Sequence, residues 1–90
     1  MIKEPTYMIT LDTKLDVERI CLVCNEDGED FIGTWVYGFG VGAHRFPKKV
    51  TRPMTMDEVD NYNSYKFRKA RMIPFQLSIN YDGTVRIRKD

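Results

Sequence analysis

Histidine, tryptophan and cysteine are scarce in this 90-residue chain, at one, one and two copies. Two thiols, Cys21 and Cys24, are too few for a disulfide framework, and a reducing compartment keeps such residues as thiols. No apolar stretch approaches the ~18 residues of a membrane span. The first residues, MIKEPTYMITLDTK, carry charges and a proline where a signal peptide needs an apolar run. No N-x-S/T sequon occurs. The expectation is a cytoplasmic protein with no membrane partner.

Catalytic and cofactor motifs are equally thin. His44 is a candidate general base only because it stands alone; spacing puts no Ser or Cys beside it, and no paired-carboxylate motif is recognisable. Gly38, Gly40 and Gly42 lack the strand–GxGxxG–helix context of a dinucleotide site, because no helix is expected before residue 56. Cys21-Leu22-Val23-Cys24 has CxxC spacing. Yet apolar residues separate the thiols and four carboxylates follow, where a redox pair wants positive charge. A structural zinc needs four ligands, and two Cys and one His leave one short. Core thiols, no metal, no cofactor and no enzymatic activity are expected.

The composition, 42% hydrophobic and 30% charged, is that of a globular protein. Ninety residues make a single domain, 1–90, that buries roughly 60–65% of its unfolded surface. The net charge of +1 hides a polarity. Residues 1–43 hold three basic against eight acidic groups, and residues 44–90 hold eleven against five. The basic groups fall in three bursts, 45–52, 66–71 and 86–89. Either this polarity focuses a field on an anionic partner, or the two halves pack together and neutralise each other.

Along the chain, TYMITL (6–11) is rich in β-formers and reads as a strand. In the next segment Val17, Ile20, Cys21 and Cys24 fit a helical stripe. The short apolar run and the Asp27-Gly28 turn signal favour a hairpin instead, with strands near 18–24 and 31–37. Pro47 and Pro53 bracket a basic loop. Thr55-Met56-Asp57-Glu58 matches a capping box and opens one helix over about 56–70, acidic in its first turn and basic in its last. Alternating Phe75, Leu77, Ile79 and Tyr81, then Asp82-Gly83, then Val85 and Ile87, read as a C-terminal hairpin.

The fold class expected is α+β: a small, mostly antiparallel sheet or partly open barrel in the OB-like order β-β-β-α-β-β. If 15–25 is helical, a ferredoxin-like or RNA-recognition-type sandwich is the alternative.

Residues 33–52, GTWVYGFGVGAHRFPKKVTR, concentrate the functional signal. As a strand, 33–42 places Trp35, Tyr37 and Phe39 on one face and its glycines on the other, so the rings are either a stacking surface or core. Tyr37-Gly38-Phe39-Gly40-Val41 departs from the RNA-recognition signature at its leading basic residue and its second aromatic, so no family is identified. Arg45, Lys48, Lys49 and Arg52 follow as the sharpest cation cluster, and Arg86 and Arg88 on the last hairpin extend it if adjacent. Phosphates meeting these cations while bases stack on the rings is the pattern of single-strand binding. The expected function is a small non-enzymatic binding module for an anionic partner, nucleic acid or nucleotide first. The alternative is a protein-interaction module: a small inhibitor, adaptor or homo-oligomer subunit.

Overall fold

A computed structural model of the chain describes residues 4–38 and 42–89. Its elements are β1 (Thr6–Asp12), β2 (Val17–Asp27), β3 (Asp30–Trp35), β4 (His44–Pro47), a 3-10 turn (Lys48–Val50), β5 (Thr51–Pro53), α1 (Met56–Asn63), α2 (Tyr65–Arg71), β6 (Leu77–Ile79) and β7 (Val85–Ile87). Five strands form one antiparallel sheet in the order β4-β3-β2-β1-β5, and β6 pairs with β7 in a second. The α+β class and the antiparallel sheet are as expected. The sheet is not closed into a barrel, since β4 and β5 at its two edges are not partners.

Segment 15–25 is not a helix, which removes the ferredoxin-like alternative. It lies almost wholly in β2, with Ile9 opposite Ile20 and Met8 opposite Cys21. Ile20 packs under the helices while Cys21 and Val23 pack on the opposite side. A strand buried on both faces needs consecutive apolar residues, and that run mimics a short helical stripe. At Asp12 the carboxylate accepts from the backbone N–H groups of Lys14 (3.0 Å) and Leu15 (3.4 Å), turning the chain from β1 into β2.

The aromatic strand over 33–42 ends early. β3 stops at Trp35, and Gly38 takes φ 91°, a conformation outside any strand. Beyond the end of β3 the strand alternation no longer applies, and Trp35 and Tyr37 join different clusters, with the Arg19 guanidinium 4.5 Å from one ring and 5.1 Å from the other. Trp35 joins the cluster of Met8, Cys21, Val23 and Phe46, whereas Tyr37 packs against the helix-side core of Tyr7, Ile9, Ile20 and Tyr62. Phe39 lies outside the described residues.

The expected basic loop also holds β4 and β5, with prolines at edge positions where a missing N–H is tolerated. Three residues join these opposite edges. From Pro47 to Thr51 an extended chain reaches about 14 Å at most, whereas four interstrand gaps of a flat sheet span about 19 Å. The sheet must curl. Thr51 clasps the curl: its Oγ1 donates to the Pro47 carbonyl (2.7 Å) and accepts from the buried Thr10 hydroxyl (2.8 Å).

The expected single helix is two. Thr55 forms the capping box, its Oγ1 accepting from Glu58 N–H (3.2 Å) while the Glu58 carboxylate accepts from Thr55 N–H (2.9 Å). At Ser64 the backbone turns extended, and its hydroxyl caps α2 by accepting from Phe67 N–H. The break follows from Asn63, whose amide donates to the Leu77 carbonyl (2.8 Å) and accepts from its N–H (2.6 Å). That side chain is a surrogate strand tying α1 to β6. Met72 in the left-handed region, then Pro74, end α2. The C-terminal hairpin forms with Leu77 opposite Ile87 and Gly83 at φ 87° in its turn. Leu77 and Val85 are buried, but Tyr81 is fully exposed, because β6 ends at Ile79. Thr6 docks the hairpin on β1 by accepting from Val85 N–H (3.0 Å).

Candidate functional site: a carboxylate-free cationic helix beside an aromatic cavity

The cations singled out in the sequence sit against carboxylates of the acidic half. Arg45 on β4 reaches Asp27 (2.9 Å) and Asp30 (3.4 Å) across the β2–β3 turn, and the bond to Asp27 leads in raising its basicity. Lys48 pairs with Glu26 (3.1 Å) and lies 5.4 Å from the Phe31 ring centre. Arg52 on β5 grips both Glu58 oxygens (2.7 and 2.8 Å) and reaches Glu18 (3.1 Å). That fork holds Glu58 down at about 2, with the capping N–H of Thr55 adding to it. Arg86 pairs with Glu4 (2.6 Å), and Arg88 donates to the Gln76 side chain (2.9 Å). Lys49 and Arg88 are the two of the six that are exposed with no carboxylate within ion-pair distance among the described residues. Exposed pairs contribute only about 0–1 kcal/mol each to stability. Their consequence is electrostatic, because the loop's positive charge is largely answered by Glu18, Glu26, Asp27, Asp30 and Glu58.

Trp35 packs on the same cluster as Phe31. Its ring meets Phe46 edge-on (4.9 Å, 69°), and the Arg19 guanidinium lies 4.5 Å above it. Arg19 also donates to the Tyr37 carbonyl and pairs with Asp12 (2.8 Å) at side chains only about a tenth exposed. The Arg19 hydrogen bond is the main cause that lowers the Asp12 pKa. With His44 these residues line an open groove of about 650 Å³. The rings there are partly covered, and Arg19 is already committed to Asp12. Cys21 is buried, with its thiol pushed up to about 12 by loss of solvent, and Cys24 is exposed. No three His, Cys, Asp or Glu side chains gather as metal ligands among the described residues.

The third burst differs. Lys66, Arg68, Lys69 and Arg71 stand on α2, and no acidic residue occurs anywhere between Asp60 and Asp82. None of the four forms an ion pair among the described residues. Two of them lie on rings instead. Arg71 stacks 3.7 Å above Phe67 and 5.2 Å from Tyr37, and Lys69 lies 5.5 Å from Tyr65, which is 69% exposed. Arg68 donates to the Asn63 carbonyl (3.0 Å), which fixes its stem across the helix break. Between α1, Phe67 of α2 and the sheet lies an open pocket of about 270 Å³, lined by Tyr37, Tyr62 and Phe67, by Ile9, Ile20 and Met54, and by the polar Glu18, Arg19, Asp57, Glu58 and Asn61. The rings meet at 6.0 Å (Tyr37–Phe67, edge-on) and 5.6 Å (Tyr62–Phe67). Tyr62 is 2% exposed, and its hydroxyl is buried with no hydrogen-bond partner among the described residues. Burial pushes that phenol well above its ordinary range, with Tyr7 and Tyr37 adding to the shift.

Sequence reasoning treated 66–71 as the basic last turn of a helix and did not make it a site. The signal was present: a twenty-one-residue stretch, 61–81, with four cations and no carboxylate. What could not be read was that cations 45–52 would meet carboxylates far along the chain while these would not. Compared with protein-family models, curated proteins and solved structures, the chain matches none of them.

Proposed function

We propose that this chain is a small non-enzymatic binding module for an anionic partner, a nucleic-acid strand or nucleotide first, and that α2 is the element that meets the phosphates. One observation carries the reading: α2 offers four cations without a carboxylate partner, beside an exposed Tyr65. Phosphate contacts supply most of the affinity in sequence-independent binding, and an exposed ring stacks any base. Within the basic loop Lys49 is the cation without a carboxylate partner among the described residues. An OB-like module belongs to the same proposal, which takes β1 to β3, the helical segment and the last hairpin as its core and β4 and β5 as additions.

Binding of a ten-nucleotide single strand across a salt series tests it. Four phosphate contacts give a slope of log affinity against log salt of about −2.8. Lys66→Glu with Lys69→Glu removes binding, whereas Arg45→Ala leaves it within a few-fold. Absence of binding at ~50 mM salt overturns the proposal. A protein-interaction module is the second reading, favoured by exposed Leu15 and Val17 beside the β1–β2 turn. Its homo-oligomer form requires light scattering to give a multiple of the 10.6 kDa chain mass.

A further inference from the structure

We infer that the helical segment is a self-recognition surface, on which α1 of one chain meets α2 of a second copy across a two-fold axis near Asn63. Charge is the first ground. Asp57 and Asp60 stand exposed on α1, and Lys66 and Lys69 stand exposed on α2. None of the four forms an ion pair among the described residues. Their register is self-complementary. In an antiparallel pair turned about residue 63, Asp57 comes opposite Lys69 and Asp60 opposite Lys66, and the symmetry repeats both pairs.

The helix dipoles do not account for this pattern. A macrodipole favours acids in a first turn and bases in a last turn, which covers Asp57 and Lys69. Asp60 lies beyond the first turn of α1. Lys66 lies in the first turn of α2, where a cation is disfavoured. These two charges suit a neighbour rather than their own helix.

Apolar exposure is the second ground. Tyr65 is 69% exposed beside the axis, and Met56 and Met72 are 60% and 90% exposed at the two ends of the segment. In the antiparallel register Met72 of one chain lies at the Met56 end of the other. No residue of α2 is buried against its own chain. The eight residues of α1 and seven of α2 fall short of the ~20–30 residues a side of a standard interface. The dimer is therefore weak, and its exposed ion pairs make it sensitive to salt. The inference rests on the homo-oligomer form of the second reading and gives it a surface. An anionic strand would draw on the same α2, so strand and second copy exclude one another there.

Sedimentation velocity without nucleic acid tests this, over a concentration series to ~1 mM in ~50 mM and ~500 mM salt. The unaltered chain is expected to move from 10.6 kDa toward twice that mass as concentration rises, and to move back in high salt. Asp57→Lys with Asp60→Lys, and separately Lys66→Glu with Lys69→Glu, should each weaken self-association at least ~10-fold. All four positions are exposed, so the buried Val59 and Tyr62 are untouched. Mixing the two variants should restore dimers, because opposite charges face each other again. An unaltered chain that stays at 10.6 kDa overturns both this surface and the homo-oligomer reading. Dimers that persist in both variants, or a mixture no heavier than its parts, overturn the helical surface and leave the homo-oligomer reading standing.

Discussion

Replacing Tyr62 by phenylalanine should stabilise the free protein. The ring packs against Phe67 at 5.6 Å and Phe75 at 6.3 Å, and phenylalanine keeps both contacts. Only the hydroxyl is lost, and that oxygen is buried without a partner among the described residues. A buried unsatisfied polar group costs about 1–3 kcal/mol, and removing it returns that cost less the contacts of one oxygen atom. A gain near 1 kcal/mol follows. In a domain of 60–100 residues this raises Tm by about 4–8 °C. Urea denaturation with a shared m-value is the assay. A loss of 1 kcal/mol or more would refute the reasoning, because it would mean that the hydroxyl is satisfied in the folded state.

Other outcomes follow from single contacts. A Cβ at Gly33 would lie 1.8 Å from the Leu22 carbonyl oxygen, so Gly33→Ala should cost more than the ~1–3 kcal/mol of ordinary overpacking; an unchanged urea midpoint contradicts this. Thr51→Val removes the donor to Pro47 and the acceptor for Thr10, and a loss of about 1 kcal/mol or more is expected by the same assay. Glu58 has its folded pKa lowered from 4.5 to about 2. Its stabilisation is therefore complete above about pH 5 and fades as pH falls toward 2, so the midpoint gap between the unaltered chain and Glu58→Gln should close over that window. With a thiol reagent at pH 8, Cys24 should react quickly and Cys21 only on unfolding, so two fast thiols would contradict the burial of Cys21.

What could be read directly from the sequence was local. The Thr55 capping box, the strand at TYMITL, and the Asp27-Gly28 and Asp82-Gly83 turns depend on residues a few positions apart, and each forms. The misreadings share a different cause. The helix breaks at Ser64 because Asn63 bonds Leu77, fourteen residues on. β4 and β5 exist because β3 and β1 offer them edges, and nothing within HRFPKKVTRP announces those partners. The aromatic stripe fails because β3 ends at Trp35, so Trp35 and Tyr37 join different clusters on either side of the Arg19 guanidinium. Charge shows the same division. Arg52 meets Glu18 from thirty-four residues away, so a cluster that is dense in sequence is neutralised in space. On α2 the reverse holds, and a burst that resembled helix-end decoration is the unanswered one.

The central claim is that anions meet α2 rather than the β4–β5 connection. Amide chemical-shift mapping with a short single strand at ~50 mM salt tests it most directly. The account predicts shifts over 65–72, at Lys49 and at Tyr37, with Arg45 and its Asp27 and Asp30 partners undisturbed. Shifts centred on 44–52 with α2 silent, or no shifts at all, would contradict it.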